Sequence, residues 1–249
     1  MVDNISSPIE TASLIKSLNV PFSQKHLAPT KDISRFNTGH SKAFYLGILG
    51  ADLGYLNMYG KTGLIMNYIT SMKSLAEDIN IGQFFDYSTL KRLSTNNKNI
   101  DSLIYISQQS FNKMDRHLQR TNRGNLSALM ICGVWVEAFY LTCQFYKEHS
   151  EPRLAESIGE NKVLFDELMK LLKNYQSEKY VADLIAELMP FQELYDNMTL
   201  TIKEGEPLTM EENGTLTFVQ TETSTVHYTD KQMTQILSLA ETIRNKLIQ

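Results

Sequence analysis

The chain has 249 residues, 42% hydrophobic and 21% charged, an ordinary balance for a globular protein with enough length for a sizeable core. Its net charge is −4, and its basic residues are scattered in small groups such as Lys91, Arg92 and Lys98 or Arg116, Arg120 and Arg123, so the clustered cationic surface that nucleic acid demands is missing. The two cysteines, Cys132 and Cys143, share one helical segment; a helix of that length separates them by about 16 Å, beyond the ~7 Å Cα reach of a disulfide, and they read as buried free thiols.

The first residues, Met-Val-Asp-Asn-Ile-Ser-Ser-Pro, carry neither a basic nor an apolar targeting region and read as a mature or trimmed N-terminus. Ser7-Pro8-Ile9-Glu10 is a helix start signal, with a Ser cap, Pro in the first turn and Glu three residues after the Ser. It predicts a short helix carrying Ile9, Ala12, Leu14, Ile15 and Leu18, followed by a Pro-containing loop up to about residue 40. Helical periodicity then predicts helices at 41–59, 62–79, 88–95, 99–121, 125–148, 152–175 and 177–203. Pro190 lies inside the last of these and should kink or split it near Met189.

The period changes at 207–228. Asn213-Gly214 between β-forming residues is a hairpin signal, and 225–229 is a candidate third short strand. Thr229 with Gln232 starts a final amphipathic helix through Ile236, Leu239, Ala240, Ile243 and Leu247. The expectation is one all-α domain over 1–249, a bundle or array of about eight or nine helices. It comprises a short helix plus loop (1–40), a helical core (41–203), a small hairpin or three-strand ribbon (207–228) and a C-terminal helix (229–249).

Two helices stand out. The stretch YLGILGADLGYLNMYG, 45–60, spaces its glycines as neither a dinucleotide fingerprint nor a P-loop, and no strand precedes it. Helical winding puts Ala43, Gly47, Gly50, Ala51 and Gly54 on one narrow face, where small residues let another helix come close. Asp52 falls nearly opposite, flanked by Tyr45, Ile48, Tyr55, Leu56 and Tyr59. It reads either as half-exposed beside a tyrosine-lined surface or as a polar anchor in a pocket. The second helix, 126–143, is apolar enough to suggest a membrane span, but Glu137 stands near its middle, so it reads as the central helix of a bundle. Glu137 shares a stripe with Leu126, Met130, Gly133 and Gln144, while Trp135, Phe139, Tyr146 and both cysteines take another face. If Asp52 and Glu137 converge, one can be an acid of raised pKa and the other its partner; otherwise each makes a separate structural hydrogen bond.

Familiar chemistries leave no trace in the spacing. His26, His40, His117, His149 and His227 show no metal-binding spacing and read as surface or turn residues, so no metal and no cofactor is expected. Ser13-x-x-Lys16, Tyr55-x-Asn57 and Lys61-Thr62-Gly63 mimic the motifs of serine β-lactamases, but the last opens a helix where those enzymes need a sheet strand.

The segments SPIETASLIKSLNVPF, FYLGILGADLGYLNMYGKT and RTNRGNLSALMICGVWVEAFYL together resemble an uncharacterised family of Bacteroidetes helical lipoproteins with no assigned activity. The resemblance implies a helical protein of the cell envelope, periplasmic or surface-exposed, with a lipid anchor upstream of this chain; it carries over no catalytic residue. The expectation is therefore a non-enzymatic envelope domain that binds a protein or small-molecule partner or serves a structural role. Candidate binding residues are Asp52, Tyr45, Tyr55, Tyr59, Glu137 and Trp135, with Tyr68 on the same tyrosine-rich surface. The competing reading is an enzyme using Asp52 and Glu137 as an acid/base pair in an interhelical cavity. A third is an intracellular scaffold.

Overall fold

The computed structural model describes the backbone of residues 8–94, 100–204, 208–212, 215–219 and 222–249. Nine α-helices lie among them: α1 (Pro8–Ser17), α2 (Gly39–Met58), α3 (Thr62–Asp78), α4 (Tyr87–Ser94), α5 (Ile100–Arg120), α6 (Gly124–His149), α7 (Pro152–Lys173), α8 (Lys179–Asp196) and α9 (Asp230–Leu247). The fold is all-α in its core, as the helical period requires. The Ser cap proposed for α1 falls at Ser7, outside the described residues.

Local chemistry explains the helix ends. Thr38 and Ser41 form a reciprocal capping box at the start of α2, and Thr229 and Gln232 do the same for α9. Pro152 occupies the first turn of α7, where its missing N–H costs nothing. Ser150, in the left-handed region at φ 51°, terminates α6.

The pair α2 and α6 forms the centre, and more of the chain meets there than between any other two elements. The crossing is reciprocal. A Cβ built on Gly47 would stand 2.0 Å from the carbonyl oxygen of Met130, and one on Gly133 would stand 2.0 Å from that of Phe44. Each helix thus sets a bare backbone against the other, which answers what the glycine rows are for: close approach, not phosphate binding. Around this pair, α3 flanks α2, α1 lies across both, and α5, α7 and α9 pack on α6. A main apolar core runs through α2, α3, α6, α7, α8 and α9. A smaller one joins Ala12, Ile15 and Val20 to Tyr55, Tyr140, Leu141, Phe145 and Leu154. Among the described residues, α6 alone is long and apolar enough to cross a membrane, and its apolar window is wholly buried inside the protein.

Three expectations are corrected in whole or in part. Helix α8 ends at Asp196 rather than 203, with the Asn197 side chain donating to the Glu193 carbonyl oxygen at 2.7 Å. Beyond it the β-branched run starting at Thr199 forms a strand. The strands β1 (Thr199–Glu204) and β4 (Glu222–His227) pair antiparallel, as do β2 (Leu208–Glu212) and β3 (Thr215–Val219), so the segment is not a three-strand ribbon confined to 207–228. The Asn213-Gly214 turn lies outside the described residues. Pro190 does not split α8, which continues unbroken from Lys179 to Asp196.

Candidate functional site

Just past the glycine crossing, each central helix carries its carboxylate. Asp52 follows Gly47 on α2, and Glu137 lies one turn beyond Gly133 on α6, so the close approach of the backbones carries the two acids toward each other. They meet. The Asp52 carboxyl lies within hydrogen-bonding reach of Glu137. Both side chains are wholly buried, with no solvent exposure.

A cation closes the group. Arg244 of α9 grips Glu137 in a two-pronged ion pair, Nη2 to Oε1 at 2.6 Å and Nε to Oε2 at 2.8 Å. Its Nη2 also donates to the His26 carbonyl oxygen at 3.2 Å, and the guanidinium lies 4.4 Å from the centre of the Tyr140 ring. Asp52 Oδ2 accepts from the Ala28 backbone N–H at 2.8 Å, whereas Oδ1 receives no donor among the described residues. Burial, and next the Glu137 charge, push the Asp52 carboxyl well above the usual carboxylate range, against the opposing pull of Arg244 and the Ala28 N–H. The shift favours the protonated form of Asp52 beside Glu137. With two carboxyls and one guanidinium, the buried group is neutral only when it holds one proton.

Above it runs the segment 20–31, bracketed by Asn19 and Asp32, both in the left-handed region at φ 56° and 58°. With little regular structure of its own, its backbone is satisfied by side chains from beneath. Tyr59 donates to the Val20 carbonyl oxygen at 2.6 Å, Tyr68 to that of Ala28 at 2.7 Å, and Tyr45 to that of Pro29 at 2.5 Å. Ser71 donates to the Thr30 carbonyl oxygen at 2.9 Å, and the Tyr55 hydroxyl accepts from the Ser23 N–H at 3.0 Å. Burial raises the phenols of Tyr45, Tyr55 and Tyr68, which keeps them protonated. His26, expected as a surface or turn residue, lies in a turn but is buried, edge-on to Phe145 with Nε2 2.9 Å from Glu148.

Of the candidate residues, the structure gathers Asp52, Glu137, Tyr45, Tyr55 and Tyr59 around one segment. Asp52 is thus a buried anchor and not a half-exposed residue. Trp135 is not among them: its indole N–H donates to Asn161 at 3.1 Å and its ring packs with Phe139, Phe165 and Phe191 in a separate aromatic cluster. Sequence reasoning missed Arg244, Ser71 and Tyr140. The signal for Arg244 was its place beside Ile243 and one turn after Ala240, an arginine on an apolar stripe.

Among the described residues, no three His, Cys, Asp or Glu side chains converge in a way that could hold a metal ion. A cleft of about 490 Å³ lies elsewhere, lined by Gly82–Ser88 and Lys113, and no candidate residue borders it. No known family, curated protein or solved structure matches this chain.

Proposed function

We propose that this chain is a non-enzymatic helical domain of the cell envelope, acting through a bound partner or as a structural element, with the acid pair serving as an internal lock. One observation supports this reading above the rest: the tyrosines, Ser71 and Arg244 gathered around Asp52 direct their hydrogen bonds at the chain's own backbone or at Glu137. The envelope address rests on the family resemblance.

A second reading is favoured by one specific feature. A carboxyl raised by burial beside a second carboxyl is the arrangement acid/base enzymes use, and Asp52 next to Glu137 has that form. On that reading the segment 20–31 must lift to admit substrate.

Native mass spectrometry of the protein purified from its own cells separates the two. A bare chain or a protein partner at fixed stoichiometry accords with the lock. A small molecule that leaves on denaturation, and is missing from the Asp52→Asn variant, would overturn the lock in favour of a catalytic or ligand site. Membrane fractionation of the same cells tests the envelope address.

A further inference from the structure

The buried group has two carboxyls and one guanidinium, and the segment that seals it is attached mainly through side-chain contacts. Asp52 Oδ2 holds the Ala28 N–H of that segment, while Oδ1 is buried and receives no donor among the described residues, and both oxygens of Glu137 are taken by Arg244. A proton between the carboxyls is what makes the closed arrangement neutral. We propose that segment 20–31 is a proton-latched strap, which closes only over a protonated Asp52–Glu137 pair and releases that proton to water when it lifts.

The step balances simply. Lifting withdraws the Ala28 N–H and the backbone acceptors, water enters, and the Asp52 O–H gives its proton to solvent, leaving a hydrated carboxylate. Because the open form has an ordinary carboxyl, above about pH 4 each further pH unit favours opening about tenfold, until the closed-state carboxyl itself ionises. The groups facing Asp52 are Glu137 and Tyr140 from α6, Arg244 from α9, Tyr68 from α3, and Tyr45 and Tyr55 from its own helix. The strap itself brings His26 and Lys25, both engaged by Glu148. The latch stands whether or not the chain is catalytic.

Amide hydrogen exchange of the whole chain, corrected for intrinsic exchange rates and read between about pH 5 and 7, tests it. The amides to follow are Ser23, Leu27 and Ala28, all hydrogen-bonded in the closed form. Their protection should lie at least about tenfold below that of the central α6 amides and fall about tenfold per pH unit. Asp52→Asn, whose amide can donate to Glu137, should remove that slope, and His26→Gln should keep it. Strap protection equal to that of α6 would show that the segment opens only by global unfolding. A flat wild-type profile, or a slope that survives in Asp52→Asn, would place the proton elsewhere. Any of the three overturns the latch, and the first two need no variant.

Discussion

Gly47 presses on the backbone of Met130 with room for a hydrogen and nothing larger, since an added Cβ would sit 2.0 Å from the Met130 carbonyl oxygen. The clash is with main chain on the protein's central helix, so no side chain can swing aside to relieve it.

Gly47→Ala and Gly133→Ala are therefore each expected to cost at least about 3 kcal/mol, at or above the upper end of ordinary overpacking, read as a fall in urea midpoint or as failure to fold. Gly63→Ala is the control. Nothing lies within 4 Å of its added Cβ, and it should gain about 0.5 kcal/mol from helix propensity alone. Equal effects at Gly47 and Gly63 would refute the crossing.

The ionic group predicts strong non-additivity. Glu137→Gln leaves Arg244 buried without its anion and should cost about 3 kcal/mol, eased by Asp52 giving up its proton to take the vacant role. Asp52→Asn alone should be neutral or stabilising near neutral pH. Combined, the two remove every carboxylate from the group, and the double variant should fall short of additivity by more than about 1 kcal/mol in a denaturation cycle.

The pH dependence of folding follows from the direction of the Asp52 shift. Its folded-state pKa is raised above the unfolded value, so the folded chain binds the extra proton, and the resulting stability is complete below about pH 4 and is lost as pH rises toward the folded pKa. Glu148 and Glu241, which are held below the usual range, act in the opposite sense and lose their contribution in acid. The difference between wild type and Asp52→Asn isolates the one group. Urea midpoints should show the variant gaining on the wild type steadily from pH 4.5 to 7; a constant difference would contradict a protonated Asp52.

Removing one strap donor tests the seal. Tyr68→Phe strips the buried Ala28 carbonyl oxygen of its hydroxyl partner and should cost about 1–3 kcal/mol in thermal or chemical unfolding. Tyr59→Phe, at a more open position, should cost less than Tyr68→Phe. The reverse order would mean that the strap is held from its Val20 end.

Much of the fold was legible because the α-helical period is strong: the positions of α2 to α7 and of α9 follow from it within a few residues. Gly47 was legible as a packing surface, but its partner at Met130 was not, since periodicity assigns faces and says nothing of which faces meet. The end of α8 was misplaced because Leu200 and Ile202 continue an apolar pattern that a helix and a strand both accommodate. Asp52 and Glu137 announced themselves as acids among apolar neighbours. Arg244 did not, because Glu241 and Lys246 around it make that stretch of α9 look like solvent-facing surface; only the two acids waiting inside decide which cation turns inward. His26 lies in a turn, as expected, but its burial was not legible, since a loop residue is buried here by what lies beneath it and not by a pattern in its own neighbourhood.

The order of these charges along the chain has a consequence for biosynthesis. Both acids leave the ribosome well before Arg244, so a chain complete only through α8 can bring α2 and α6 together only by burying two carboxyls without a cation. Such an intermediate is penalised at its centre, and arrival of α9 removes the penalty at once. Closure of the core is thus favoured only once α9 has arrived, and a chain truncated before Arg244 is expected to be markedly less stable than the full chain, with an unfilled ionic socket at its centre.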